Sequence, residues 1–264
     1  MSHPISVLDG RYASRVAELS EIVSEFGLMK YRLVTEVAWL KLLETKGILP
    51  KESNVNSLET LVDRFNDVEY EKIKSIEATT KHDVKSVEYY LREYTDEALW
   101  PWIHFACTSE DINNIAYAHM VRDARSVVAT FLQESIVRTL ITQAQGWKDV
   151  AMLSHTHGQP ATPTTVGKEL GVYVERLRTI HERLMSTPIH AKMNGATGNY
   201  AAHVVAFPDH DWIQYSKEFV EGLGFVWRPL TTQIESHDHI SEVLDHLSRV
   251  CSVLSDLSTD IWGY

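Results

Sequence analysis

Cysteine is almost missing from this 264-residue chain: Cys107 and Cys251 are the two present, too few for a disulfide framework. Long apolar runs are missing as well. No uninterrupted stretch approaches the ~20 residues a membrane-spanning helix requires. Met1-Ser2-His3-Pro4 lacks the basic segment and following apolar run of a secretory signal. These absences point to a reduced cytoplasmic setting without a membrane partner. Basic residues are in deficit, 25 Lys and Arg against 36 Asp and Glu, for a net charge of −11. That argues against a nonspecific nucleic-acid partner, which needs a basic face to release counterions from phosphates. A small anionic ligand stays open, because a local basic pocket can coexist with an acidic whole. Strand signals are scarce: Val204-Val205-Ala206-Phe207 is short and stops at Pro208. No internal repeat or low-complexity tract is visible.

What is there is helical periodicity. With 44% hydrophobic and 23% charged residues the chain lies in the ordinary globular range. From Ser14 to Lys46, apolar residues recur at three- and four-residue steps until Gly47 and Pro50 stop the pattern. The segment from Asp111 to Trp147 is the longest candidate helix; no Gly or Pro falls between Asp111 and Gln145. About 35 helical residues would span ~50 Å, a length suited to a bundle with long neighbours. Further helices are expected from Pro163 to about Met185, from Trp212 to about Glu221, and from His239 onward. The expected fold is all-α, with a small N-terminal helical domain over 1–110 and the first part of a long-helix bundle over 111–264.

Four short stretches carry candidate chemistry. Thr108-Ser109-Glu110-Asp111 opens the longest helix with capping-box-like spacing. It reads as a helix cap and also as an anion site, since free N–H groups and two hydroxyls suit a carboxylate or phosphate. In Lys81-His82-Asp83 an acid neighbours an imidazole and can favour its protonated form, while Lys81 adds a second positive group. In Ser154-His155-Thr156-His157-Gly158-Gln159-Pro160-Ala161-Thr162-Pro163 two histidines alternate before a Gly and two prolines. One reading is general acid–base chemistry by one of them, near neutral pH, with Thr162-Pro163 opening the next helix as N-cap and first residue. Another is a metal pair, His155 and His157 facing the same way, matched downstream by His237 and His239; no H-E-x-x-H or cysteine cluster accompanies it. Arg11 precedes the first helix, and arginine suits bidentate capture of carboxylate or phosphate. The Gly-rich Asn194–Tyr200 stretch lacks P-loop spacing and reads as a turn.

In this order and at these separations, the fragments resemble the adenylosuccinate lyases of the fumarase/aspartase superfamily. The likeness rests on Asp9-Gly10-Arg11-Tyr12, Thr79 to Lys85, His104 to Asp111, Thr156 to Pro163, Asn194-Gly195-Ala196, Thr231 to Glu235 and Asp260 to Tyr264. It implies β-elimination of fumarate from adenylosuccinate, leaving AMP, and from the succinylated aminoimidazole carboxamide ribotide, without cofactor or metal. By the same resemblance His157 protonates the leaving nitrogen, and His82 sits near the succinyl–purine junction with Lys81 and Asp83 beside it. Thr108 and Ser109 bind a succinyl carboxylate, Arg11 and Tyr12 hold the nucleotide end, His104 lies near the phosphate, and Gln233 hydrogen-bonds substrate. His155 becomes a neighbour. The family assembles as a homotetramer whose active sites are shared between subunits.

One departure stands out. The family's proton-abstracting serine lies in a Ser-Ser-x-Met-Pro-x-Lys-x-Asn-Pro type of loop downstream of the Trp-Gly-Tyr equivalent, and no such motif occurs here. The chain therefore looks cut off within its central domain, and by itself is expected to lack lyase activity. A non-catalytic helical scaffold and a His-ligated metal hydrolase are the rival readings.

Overall fold

Nearly every stretch with a three- and four-residue apolar repeat is helical in the computed structural model, which describes residues 5–50 and 55–263. After a 3-10 turn at Ala13–Arg15 come α1 (Ala17–Val23), α2 (Glu25–Thr45), α3 (Asn56–Asp63), α4 (Asp67–Thr80) and α5 (Asp83–Arg92). Beyond another 3-10 segment, α6 (Ser109–Phe131) runs through a π turn at Leu132–Val137 into α7 (Arg138–Gly146). A hairpin of β1 (Ala151–Thr156) and β2 (Gln159–Thr165) leads to α8 (Val166–Ser186). The rest comprises β3 (His190–Ala191), α9 (Ala201–Ala206), α10 (Trp212–Gly222), β4 (Val226–Trp227) and α11 (Asp238–Gly263). None of the described helices is long and apolar enough to cross a membrane.

The described residues form two compact units. One combines residues up to Ala124 with Pro188–His237; the other combines Arg125–Thr187 with the described residues from Asp238. These units divide the chain differently from the expected 110/111 boundary, because the segment after α8 returns to pack with the N-terminal helices. In the first unit α2 is the central helix: Met29, Leu33, Val37, Leu40 and Leu43 are buried together with Trp39, Ile73, Val87, Leu91, Ile112, Ile115 and Phe219. The two residues of β3 pair in parallel with β4, tying the return segment together. In the second unit Leu132, Val137, Leu140, Leu170, Tyr173, Leu177, Val250, Val253 and Leu257 form the core. There the buried stripe of α11 runs through Val243, His246, Val250, Val253 and Leu257, leaving Leu244 exposed.

Two expectations need correcting. The 14–46 pattern is broken at Ser24, which is extended (φ −81°, ψ 176°). Gly27 sits tightly in that elbow, where a Cβ would lie 2.1 Å from the Ile22 carbonyl oxygen. The helix expected at Pro163 begins at Val166, with Thr165 accepting from Lys168 N–H as its N-cap. Pro163 instead pairs in register with Leu153 in the hairpin, where every strand is an edge and a missing N–H is tolerated. Val204 and Val205, the weak strand signal, are helical in α9, in keeping with the all-α expectation.

Candidate functional site

Six described residues other than glycine have positive φ: Lys81, His104, Ala106, His157, Tyr200 and His237. Non-glycine residues persist there only when their surroundings hold them, and such positions gather at functional sites. Lys81, His104 and His157 are also sequence candidates.

Lys81 ends α4 in the left-handed conformation (φ 54°), and His82 then starts α5 as its N-cap. The reversal brings Lys81, His82 and Asp83 into one turn. His82 Nδ1 accepts from the Lys85 N–H at 3.2 Å, and the ring is half exposed. Asp83 Oδ1 is 3.7 Å from His82 Nδ1, whereas Asp83 Oδ2 takes a 2.6 Å ion pair from Arg32. Arg32 is buried on α2 and its Nε donates to Asn113 Oδ1 at 2.9 Å. Burial works to raise the Asp83 carboxyl pKa, but Arg32, the Val84 N–H and His82 together bring it below the ordinary value.

A second group forms at the start of α6. Here the carboxylate of Asp111 does the capping, accepting from the Thr108 N–H at 2.8 Å. The Thr108 hydroxyl is not spent on the cap; it accepts from Gln233 Nε2 at 3.2 Å and keeps its own proton to donate. The cap and anion-site readings thus fall on different residues. Asp111 is wholly buried and also accepts from Lys192 Nζ at 2.8 Å and from the N–H groups of Asn194 and Gly195. The Gly-rich turn is thereby fastened to the helix start. Gly198 (φ 70°) lets the chain pass Thr231, whose carbonyl oxygen would stand 2.2 Å from a Cβ. That close approach carries Gln233 to Thr108.

Just upstream, His104 (φ 61°) is gripped by Glu36 of α2. One Glu36 oxygen lies 2.6 Å from His104 Nδ1 and the other accepts from the His104 N–H at 3.2 Å. Burial disfavours the charged ring, yet Glu36, Glu88 and Asp111 together raise its pKa above the ordinary imidazole value. Arg11 and Tyr12 are exposed ahead of α1, with the guanidinium 5.5 Å from the tyrosine ring centre.

His157 belongs to the second unit. It occupies the tip of the β1–β2 hairpin beside Gly158, with φ 52°, fully in reach of solvent. His155 lies in β1 opposite Pro160, so the two histidines do not share one strand face and the metal-pair reading loses its geometry. Its downstream counterpart His237 is committed elsewhere, with Nε2 3.1 Å from Glu110 and Nδ1 3.4 Å from Glu235. Among the described residues no three His, Cys, Asp or Glu side chains are arranged to hold a metal ion.

Within the first unit the structure joins Thr108 to Gln233, and Lys81, His82 and Asp83 to one another. It adds Arg32, Asn113, Glu36 and Lys192, which motif reading passed over. A signal for two of these existed: Arg32 and Glu36 fall on the same buried stripe of α2 as Met29, Leu33, Val37 and Leu40. Charges on such a stripe are retained only with partners.

The profile of a family described as Lyase matches residues 10–264. Among curated relatives, the chain is 42% identical over 270 residues to the adenylosuccinate lyase of Escherichia coli (strain K12). It is 45% identical to that of Haemophilus influenzae and 44% to that of Legionella pneumophila (strain Corby). Each alignment covers 98% of this chain, and the chain spans 59% of the length of these relatives. Among solved structures, a fumarate lyase from Mesorhizobium sp. BNC1 superposes with a TM-score of 0.76 at 20% identity, covering 93% of this chain and 56% of that one. A beta-carboxy-cis,cis-muconate cycloisomerase from Acinetobacter calcoaceticus sp. ADP1 gives 0.75 at 22%, covering 94% and 57%. These two share the fold.

Proposed function

The chain belongs to the lyase family, and from that premise we propose that it forms part of an adenylosuccinate lyase. The reaction is β-elimination of fumarate from adenylosuccinate, giving AMP, and from the succinylated aminoimidazole carboxamide ribotide. The observation that carries this reading is 42–45% identity to curated adenylosuccinate lyases over 98% of the chain.

The chemistry asks for three things. A base removes the Cβ proton next to a carboxylate, an acid protonates the departing nitrogen, and donors meet the charge that gathers on the carboxylate. His157, on its solvent-open hairpin tip, is the acid in this proposal. Thr108 and Ser109 receive a succinyl carboxylate at the α6 N-terminus, where the helix dipole and free N–H groups favour an anion. Gln233 sits on the Thr108 hydroxyl and is positioned to share that ligand. His82 sits at the purine–succinyl junction, beside Lys81 and Asp83. His104 supplies a cation toward the phosphate, with Arg11 and Tyr12 at the nucleotide end. The enzyme works in the cytoplasm as a homotetramer with shared sites, and needs no cofactor.

The deciding experiment is fumarate release from adenylosuccinate, comparing the 264-residue chain with the gene product in its natural length. Turnover by the natural product is the expected result, and its absence would overturn the lyase reading. The 264-residue chain is expected to be inactive; turnover by it would place the proton-abstracting base within these residues.

A further inference from the structure

We propose that Glu36 is a positioning residue that fixes His104 as a charged Nε2–H donor for the anionic end of the substrate, with Glu88 as its second support. The inference rests on the lyase reading for the ligand, but the Glu36–His104 relationship stands on geometry alone. Glu36 is wholly buried on α2 and uses both oxygens on one residue, Oε1 on the His104 ring Nδ1 and Oε2 on the His104 main-chain N–H. Such a two-point grip sets the ring orientation and also holds the left-handed backbone of His104 (φ 61°).

The groups facing His104 come from three helices. Glu36 is on α2, Glu88 Oε1 lies 4.0 Å from the ring on α5, and Asp111 contributes its charge from α6. Glu88 is partly neutralised by Lys85 at 2.6 Å and Asp111 by Lys192 at 2.8 Å. Glu36 is the carboxylate whose hydrogen bonds go to His104 alone among the described residues. A buried carboxylate so placed is costly unless the imidazole opposite is charged. The ring's other nitrogen makes no hydrogen bond to a described residue, and the side chain keeps 16% exposure. A charged N–H therefore remains available to an incoming anion, held in place by the acid behind it. This is how carboxylate-backed histidines keep tautomer and orientation elsewhere.

Glu36→Gln tests the role, because it keeps the shape and removes the charge. The NMR titration of His104 is followed in the parent chain and in the variant, with His104→Asn assigning the resonance. Expected is a His104 pKa above the ordinary imidazole value in the parent and a fall of at least about one unit in Glu36→Gln, with Glu36→Asp between. In the natural-length enzyme, Glu36→Gln is expected to raise KM about 10-fold or more with kcat little changed, and to give KM a new dependence on pH near imidazole ionisation. An ordinary His104 pKa in the parent, or a titration and KM–pH profile untouched by the substitution, would overturn the inference. If Glu36→Gln does not fold, Glu36→Asp and the parent titration decide alone. Absence of turnover by the unsubstituted natural-length enzyme would count against the lyase reading, while the titration would still judge the Glu36–His104 relationship.

Discussion

Lys192 Nζ donates to Asp111 Oδ1 at 2.8 Å with neither side chain exposed. The same carboxylate accepts from three main-chain N–H groups, those of Thr108, Asn194 and Gly195. Removing one partner of a buried pair strands the other charge. Lys192→Met is therefore expected to cost about 3–5 kcal/mol of unfolding free energy in urea. Adding Asp111→Asn should recover only part of it, since an amide cannot accept all three N–H groups. Full recovery in the double variant would show that the charge pair alone matters there.

His203 and His119 make stability fall in acid. His203 is packed among Trp39, Tyr200 and Trp212, and burial pushes its pKa down to about 4. His119, stacked 5.3 Å from Tyr31, is lowered to about 4 by burial and by Arg122. In the unfolded chain both rings protonate near 6.5. Between about pH 6.5 and 4 the unfolded state thus binds more protons, and stability drops as pH falls through that window, by at most about 3 kcal/mol for each ring. Above it the contribution is complete. Urea unfolding at pH 7, 5.5 and 4 should show the slope, and His203→Phe should make it shallower.

His157→Asn separates chemistry from folding. Asparagine tolerates the left-handed backbone, and an exposed hairpin tip carries little packing, so stability should move by no more than about 0.5 kcal/mol. Fumarate release by the natural-length enzyme should nonetheless fall about 100-fold to 10,000-fold, the range for losing a general acid. Retention of kcat would remove His157 from the proposed role.

Arg32→Met should loosen the Lys81–Asp83 turn without unmaking the fold. Asp83 is half exposed and water can solvate it, so about 1–3 kcal/mol of stability is expected to go. Activity should fall further, by about 100-fold, as the turn drifts from its productive place. Arg32→Lys, which restores a charge but not the planar fork shared between Asp83 and Asn113, should lie between. Equal losses for both variants would point to packing rather than orientation.

The all-helical character and most helix positions could be read in the sequence, because a 3.6-residue repeat reports directly on burial. Breaks were harder. Ser24 separates α1 from α2 through a backbone elbow that no composition signal marks. Pro163 looked like a helix start because proline is welcome both at a helix's first residue and on a hairpin edge, and only pairing to Leu153 tells them apart. The Thr108 motif was legible in outline, but which residue caps was not, since Asp111 is recruited by Lys192, far along the chain. Arg32 and Glu36 carried a signal, charge on an apolar stripe, whose meaning depends on Asp83 and His104 arriving from other helices.

The first unit is assembled from two stretches with the Arg125–Thr187 segment between them. On a ribosome adding ~5–20 residues per second, the helices up to Ala124 wait on the order of 10 s for Pro188–His237 to emerge. Throughout that interval Asp111 lacks Lys192, and the Trp39 face lacks Phe219. The nascent chain thus carries a temporarily open apolar surface until the return segment emerges.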